Sequence, residues 1–462
     1  MEKEKSIHEG VIMVRGKSIG FVALPGFDED IVIPTESLSF AIDGDIVEIE
    51  VGKKIPGKRQ EGKVLRVIAQ KYTEFIGSIQ KKPEGYKLIP DNRRIHIRPL
   101  LPDATQTHEG MKIVVRIEAW KNPLTDPIGV ISEVLGRAGD HETEMQAIIR
   151  GGGFSENFPE HIAKAGQELY ARKEQIFKDA IADTLGDKVN TEGREGALGY
   201  KPKRRDMRDR TTCTIDPVDA KDFDDAISFH TLPNGNFEIG IHIADVSHYV
   251  REEDIIDKEA QNRGTSIYLV DRVIPMLPEV LSNDLCSLRP NEDRLSFSAV
   301  FEMDHDGKIH NEWFGQTIIH SNVRFSYESA QEVLDKSEGQ LLHELTTLMN
   351  IGRKLRKERY ADGAIAFDQP EVKFELDAAG KPIRVYTKVR TETMLMIEDY
   401  MLLANRRVAE FVYNHTKKLG RDAAFVYRVH DVPNPEKIED LALFLHALGH
   451  EFKTHKGVVD AR

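Results

Sequence analysis

The sequence predicts a multidomain α+β protein, and three observations lead to this fold class. Its 462 residues exceed one ordinary domain. Short apolar runs separated by turn residues fill the first part of the chain, as in small antiparallel β-barrels. From residue 204 onward, candidate strands alternate with amphipathic helices, as in an α/β domain. We therefore expect two N-terminal barrels, a helical connector and a larger α/β domain.

The two barrels are predicted over residues 1–67 and 68–138. Their strand pattern is that of OB-fold and cold-shock barrels, which bind nucleic acids by stacking bases on exposed aromatic rings. In the first barrel, Phe21 follows the flexible Gly20 on a strand. A single strand Phe is more often a core residue. Phe21 is nevertheless our candidate RNA-binding residue in this part of the chain.

Residues 139–195 are predicted to form the helical connector, because apolar residues recur there at spacings of three and four. Residues 196–462 form the predicted α/β domain. Its first strand, TTCTID, ends at Asp216, and a hairpin follows that turns at Pro233-Asn234-Gly235. Further strands are predicted at 317–325, 372–376 and 424–429, and helices at 328–335, 339–359, 390–416 and 434–448.

Charge and composition limit the class of protein. The net charge of -13 argues against a protein that coats nucleic acid through bulk charge. Local basic runs such as 53–59, 93–98 and 201–210 still allow a nucleic-acid channel, although each could equally be a solvated face. No apolar run is long enough to span a bilayer, and two cysteines are too few for a disulfide framework. We expect a cytoplasmic protein with reduced, buried cysteines.

The stretch TIDPVDAKDFDDAIS, residues 214–228, is unusually rich in carboxylates. Four of them are candidate metal ligands: Asp216, Asp222, Asp224 and Asp225. Hard cations prefer oxygen ligands, and substrate phosphates commonly complete the shell of a catalytic Mg²⁺. A solvated acidic turn is the alternative, but apolar residues flank this stretch and clustered carboxylates repel one another without a cation. The stretch predicts a site for Mg²⁺, or alternatively Mn²⁺, and a substrate that carries phosphate.

The same stretch and five later ones together resemble the ribonuclease R and ribonuclease II family. The later motifs are HIADVSHYV (242–250), NRGTSIYL (262–269), VIPMLPEVLSNDLCSLRPNEDR (273–294), IEDYMLLAN (397–405) and YRVHD (427–431). They occur in the family's order, after two barrels and a helical connector. The stretches that contain RGTSIY and VIPMLPEVLSNDLCSL favour the ribonuclease R branch.

The resemblance implies an RNB-type catalytic domain and a processive, hydrolytic 3′-to-5′ exoribonuclease. Such an enzyme degrades single-stranded RNA to nucleoside 5′-monophosphates with a divalent metal, and we expect it to be a monomer. The four aspartates would bind the metal, and Asp224 would be the most critical to catalysis. Tyr268 and Phe367 would stack on the terminal bases, and Glu398 would lie near the leaving 3′ nucleotide.

The sequence departs from the family pattern at its C-terminal end. The family's catalytic domain continues through a Ser-Pro-Ile-Arg-Arg-Tyr segment, whose arginine contacts the scissile phosphate, and an S1 domain follows. This sequence stops at Arg462 without them. We therefore expect a truncated or split chain that binds metal and RNA but cleaves poorly. The alternative function is that of a non-catalytic RNA-binding protein with tandem OB modules.

Overall fold

The computed structural model describes residues 6–15, 19–27, 29–55, 57, 59–182, 184–185, 204–365, 371–378, 380–420, 425–429, 434–450, 454–455 and 458–459. The chain divides into two compact units, residues 1–157 and 158–462. Within its described residues, the first unit contains two β-barrels, one α-helix and two short 3-10 helices. The second contains a large mixed sheet with helices on both faces.

The first barrel is a five-stranded antiparallel sheet. Its strands are β1 (Ser6–Arg15), β2 (Ile19–Val22), β3 (Ile31–Ile33), β4 (Ile46–Val51) and β5 (Gly62–Ala69). They pair in the order β3-β2-β1-β4-β5, and a bridge from Val32 to Glu61 joins the two edges. Alternate apolar side chains, such as Ile12, Val22 and Ile49, fill the interior. Closure leaves no long free edge, as the sequence pattern predicts for an OB-type barrel.

The second barrel has four strands. They are β6 (Phe75–Lys82), β7 (Gly85–Pro90), β8 (Met111–Ala119) and β9 (Ile128–Arg137), in the order β7-β6-β8-β9. Leu100 bridges both Lys87 on β7 and Ile128 on β9, which closes the barrel. A Cβ atom at Gly77 would lie 2.0 Å from the carbonyl oxygen of Ile89, so only glycine fits at this strand crossing.

Three α-helices follow the second barrel within the segment predicted as a helical connector. Helix α1 (His141–Gly151) packs against β6, β8 and β9 and buries Met145 and Ile149. Helices α2 (Glu160–Ala171) and α3 (Lys173–Ile181) belong to the second unit. There, Gly166 of α2 lies against Pro278 and Val280. The segment predicted at 139–195 is thus divided between the two units, because each apolar helix face is buried on its own neighbour.

The second unit is built on an eight-stranded mixed sheet. The strands of the second unit up to residue 326 are β10 (Thr184–Leu185), β11 (Arg204–Asp206), β12 (Thr211–Asp216), β13 (Asp225–Thr231), β14 (Phe237–Ala244), β15 (Ile267–Tyr268), β16 (Val273–Ile274), β17 (Asp293–Met303), β18 (Ile309–His320) and β19 (Val323–Ser326). The sheet order is β10-β11-β18-β17-β14-β13-β12-β19, while β15 and β16 pair separately. The predicted hairpin is present as β13 and β14.

The strand predicted at 317–325 is in fact two strands. The chain leaves β18 at His320, and Asn322 accepts a hydrogen bond from the Thr212 amide through its side-chain oxygen, at 2.8 Å. This turn directs β19 to pair in parallel with β12 at the other side of the sheet. The prediction missed the break because both strands are apolar and only the pairing partner changes.

Six further α-helices of the second unit are described, and several of them pack on the faces of the sheet. In chain order they are α4 (Val246–Tyr249), α5 (Ile255–Arg263), α6 (Tyr327–Lys336), α7 (Leu342–Ala361), α8 (Glu392–Leu419) and α9 (Pro435–Ala447). One face packs against α6, α7 and α8, with Phe301, Met396 and Tyr400 in its core. The other packs against α3, α5 and a π-helical turn at Leu281–Leu285. The four predicted helices agree with α6 to α9 to within three residues at each end.

The remaining strands form small hairpins: β20 (Glu371–Leu376) with β21 (Pro382–Lys388), and β22 (Thr454–His455) with β23 (Val458–Val459). The strand predicted at 424–429 is wrong for its described part, since residues 425–429 pair with no strand in the described ranges. Cys213 and Cys286 are buried free thiols. Within the described chain, no helix combines the length and apolarity needed to cross a membrane.

Candidate active site

The acidic stretch lies where two neighbouring strands of the large sheet meet a loop. Asp216 is the last residue of β12 and Asp225 is the first of β13, and these strands pair antiparallel. The loop between them, residues 217–224, carries Asp222 and Asp224 and is named here the acidic loop. Alternate residues of β12, such as Cys213 and Ile215, are anchored in the apolar core. The sheet therefore fixes both ends of the acidic loop.

Three of the four predicted ligands converge. One carboxylate oxygen from each of Asp216, Asp224 and Asp225 lies within 4.8 Å of the other two. Asp216 is buried, Asp225 is half-buried and Asp224 is exposed, so the group opens toward solvent on one side. The Oδ2 atom of Asp216 is buried without a hydrogen-bond partner among the described residues. A divalent cation fits this set, because it would satisfy the orphaned oxygen and cancel the repulsion between the carboxylates.

Burial and mutual repulsion perturb the pKa values of all three groups. Burial first, and then the charge of Asp225, raises the pKa of Asp216 to about 7. Burial and the charge of Asp224 raise the pKa of Asp225 to about 7. The pKa of Asp224 is also raised, by desolvation and then by Asp222. Without a cation, this cluster therefore holds protons at pH values where ordinary aspartates are ionised.

This cluster makes the stability of the metal-free protein depend on pH. Between about pH 4 and 7 the folded state holds protons that the unfolded chain releases, since unfolded aspartates titrate near 3.9. We expect the free energy of unfolding to fall as the pH rises through this range. Urea unfolding at pH 5 and pH 8 in EDTA would measure it. Asp225→Asn should flatten the profile and Mg²⁺ should restore stability at pH 8; identical profiles for both proteins would contradict the assignment.

Asp222, the fourth predicted ligand, lies outside this group. Its Oδ2 atom instead accepts a hydrogen bond of 3.2 Å from the Tyr268 hydroxyl. The prediction of four converging ligands is therefore not met in the structure, because Asp222 is directed toward β15. Tyr268 as a whole residue is 67% exposed and lies beside the acidic loop. An exposed tyrosine held by its hydroxyl can offer its ring face to a base.

The other predicted RNA-binding residues have different surroundings. Glu398 lies on α8 and pairs with Arg359 at 3.5 Å and with Arg390. Phe21 is half-buried on the outer face of the first barrel, 5.9 Å beneath the guanidinium of Arg15. Phe367 lies outside the described residues.

Near the three converging aspartates, the structure also places side chains that the sequence did not indicate. Tyr327, the first residue of α6, is half-buried, and burial and the charges of the three aspartates raise its pKa to about 12. Ile243 and Phe297 lie in one cross-strand row with Asp225 and are 44% and 46% exposed. Cross-strand partners present their side chains on the same face of the sheet. An exposed apolar surface therefore adjoins the carboxylates, and only the strand register could have revealed it.

The motif HIADVSHYV supplies structural residues rather than site residues. His242 is completely buried, with its ring nitrogens 2.6 Å from the Ser298 hydroxyl and 2.9 Å from that of Ser228. Burial lowers the pKa of His242 to about 3, so the ring is neutral. Asp245 is buried in an ion pair with Arg204, at 2.5 Å. Both residues hold strands of the large sheet together.

Comparison with known proteins identifies the family. A model of the RNB domain matches residues 204–460, which is more than half of the chain. The chain belongs to the RNB family of ribonuclease R. A model of the ribonuclease B OB domain matches residues 10–67, and a cold-shock domain model matches residues 88–159. The ribonuclease R resemblance and the prediction of OB and cold-shock barrels are confirmed.

Individual ribonuclease R proteins are similar over almost the whole chain. Ribonuclease R of Thermotoga maritima is 33% identical, over 96% of this chain and 59% of its own length. Ribonuclease R of Aquifex aeolicus is 31% identical, over 96% and 60%. The structure of Mycoplasma genitalium RNase R in complex with ribose-methylated single-stranded RNA has a TM-score of 0.79 at 26% identity, covering 98% of this chain and 68% of that one. The chain thus spans about three-fifths of the length of these two curated relatives.

Proposed function

We propose that this chain provides the metal site of a 3′-to-5′ exoribonuclease that hydrolyses single-stranded RNA processively to nucleoside 5′-monophosphates. The observation that carries the proposal is the convergence of Asp216, Asp224 and Asp225 at the ends of β12 and β13. The RNB family match supports it, because the relatives named ribonuclease R share these parts of the chain. We infer the substrate, the product and the direction of cleavage from the family.

The three aspartates would hold Mg²⁺, with Mn²⁺ as the alternative. When bound, the cation supplies a nucleophilic hydroxide at neutral pH and stabilises the charge that develops on the phosphate. Asp216 and Asp225 are fixed by the sheet and serve as anchors. Asp224 is the exposed member of the group and faces the side from which RNA can approach. We therefore assign to Asp224 the part most directly concerned with catalysis.

The RNA would be held by stacking and apolar contacts next to this group. The exposed ring of Tyr268 is tied to the acidic loop through Asp222, so a base stacked on it lies beside the carboxylates. Ile243 and Phe297 add apolar surface in the cross-strand row of Asp225. Stacking accepts every base, at roughly 1 to 3 kcal/mol each, which suits an enzyme that degrades any sequence. Phe367 and Glu398 are also proposed to bind the RNA, and for these two residues the family resemblance is the sole basis.

The first unit would contribute general RNA binding. Both of its barrels belong to classes that bind single-stranded nucleic acid, and Phe21 lies on an outer strand face with Arg15 over its ring. We propose the division into barrels at 1–67 and 68–138, a connector at 139–195 and a catalytic domain at 196–462. The proposed protein is cytoplasmic and monomeric.

A labelled RNA distinguishes this function from other nucleases. With Mg²⁺, a 5′-labelled single-stranded oligoribonucleotide should shorten from its 3′ end to a short limit product, while a 3′-labelled one should release labelled mononucleotide from the start. EDTA should stop both reactions, and the DNA oligonucleotide of the same sequence is the control substrate. Labelled mononucleotide from the 5′-labelled RNA would contradict the proposed direction, and 3′-labelled fragments longer than one nucleotide would contradict exonucleolytic cleavage.

One outcome would favour the alternative function. If the chain retains RNA in a gel shift that weakens with added salt, but yields no metal-dependent product at any enzyme concentration, it is a non-catalytic RNA-binding protein. The Mycoplasma genitalium protein was solved with RNA bound, so RNA binding alone does not decide between the two functions. The appearance of mononucleotide does.

A further inference from the structure

The backbone of the acidic loop is held from one side by a single buried serine. The hydroxyl of Ser287 donates a hydrogen bond to the carbonyl oxygen of Lys221, at 2.9 Å, and accepts one from the amide of Phe223, at 3.0 Å. The amide of Leu288 donates to the carbonyl of Phe223, at 2.7 Å. Ser287 is 1% exposed. The segment just before Asp224 is therefore fixed to the chain that follows the π-helical turn.

An arginine holds the same loop from the other side. The Nη2 atom of Arg324 donates hydrogen bonds to the carbonyl oxygens of Pro217 and Val218, both at 2.8 Å. Its guanidinium also lies 5.4 Å from the centroid of the Phe223 ring. Arg324 is on β19, which pairs in parallel with β12 and places Arg324 beside Thr214. Arg324 thus contacts the beginning of the acidic loop and, near the end of the loop, the ring of Phe223.

These contacts matter because Asp224 belongs to the acidic loop, whereas Asp216 and Asp225 are held in strands of the sheet. Fixing the backbone of one residue costs roughly 1 to 2 kcal/mol of conformational entropy, and carboxylates held close together also repel one another. Arg324 brings a positive charge to this set of contacts. It favours the ionised carboxylate of Asp216, against the larger effect of burial, which raises the pKa of that group.

We propose that Ser287 and Arg324 are positioning residues that clamp the acidic loop and thereby set its affinity for a divalent cation. The inference rests on the proposed function, since it concerns the same metal site. Neither side chain belongs to the converging carboxylates, and both act through the loop backbone. Groups that orient metal ligands typically change metal affinity or activity by about 10- to 100-fold when they are removed.

Mn²⁺ binding to the full chain tests the clamp. The dissociation constant, measured by electron paramagnetic resonance of free Mn²⁺, should rise about 10- to 100-fold in Ser287→Ala. Arg324→Lys keeps the charge but not the guanidinium geometry, and should weaken binding in the same direction. Ser296→Ala is the matched control, because Ser296 is equally buried and its hydroxyl bonds to Thr317 on β18. The control should bind Mn²⁺ like the wild type.

Two further measurements separate positioning from a general loss of structure. RNA affinity in EDTA should be unchanged in both clamp variants, and saturating Mn²⁺ should restore much of their RNA-degrading rate. Wild-type Mn²⁺ affinity in a folded Ser287→Ala would overturn the clamp while leaving the proposed function standing. If that variant does not fold, Arg324→Lys decides in the same way. A wild-type protein that binds no Mn²⁺ would overturn the proposed function, and the clamp with it.

Discussion

Asp224→Asn should abolish metal-dependent shortening of RNA while leaving RNA binding intact. The substitution keeps the shape of the side chain but removes a negative charge from the exposed side of the three converging aspartates. Loss of one preorganised electrostatic group costs up to about 10³-fold in rate. Single-turnover degradation of a 5′-labelled RNA would measure the rate, and a gel shift in EDTA would measure binding.

The acidic loop provides a matched control for this experiment. Asp219→Asn removes the same charge from the same loop, but Asp219 is exposed and is not one of the three converging residues. Its rate should stay within a fewfold of the wild type. If Asp224→Asn degrades RNA normally, or if both variants fail equally, the catalytic assignment of Asp224 is wrong.

Asp245→Ala should destabilise the second unit strongly. Asp245 is 1% exposed, and it accepts hydrogen bonds from Arg204, Gln316, Ser247 and the amide of His248 at the start of α4. Its removal leaves the buried guanidinium of Arg204 without its carboxylate. Breaking one half of a buried ion pair typically costs about 3 to 5 kcal/mol. Urea unfolding followed by circular dichroism would measure the loss.

Two variants show whether the cost comes from the uncompensated charge. The double substitution Arg204→Met with Asp245→Leu removes both charges and should recover part of the lost stability, since apolar pairs often replace buried ion pairs without cost. Asp306→Ala breaks an exposed pair with Lys354 and should change stability little. A double variant no more stable than Asp245→Ala would show that lost packing and capping dominate.

Much of the fold could be predicted because its signals are local. The hairpin of β13 and β14 follows from alternating apolar residues around the Pro233-Asn234-Gly235 turn, where Gly235 has a φ of 85°. Helices α6 to α9 follow from apolar spacing over ten or more residues. The break between β18 and β19 was missed, since it depends on which strand pairs with the segment rather than on its composition.

For the active site, the sequence by itself determined that carboxylates are concentrated in one short segment, and it predicted a divalent-metal site there. This was readable because all four aspartates lie within ten residues. Only the tertiary structure decided that Asp216, Asp224 and Asp225 converge while Asp222 pairs with Tyr268.

Likewise, only the tertiary structure revealed which distant side chains hold the acidic loop. Ser287 lies 66 positions from Lys221 along the chain, and Arg324 lies 107 positions from Pro217. Strand order and the parallel pairing of β12 with β19 bring them to the loop. A local pattern records which side chains are near in sequence, whereas the geometry of a metal site depends on which distant backbone segments hold them.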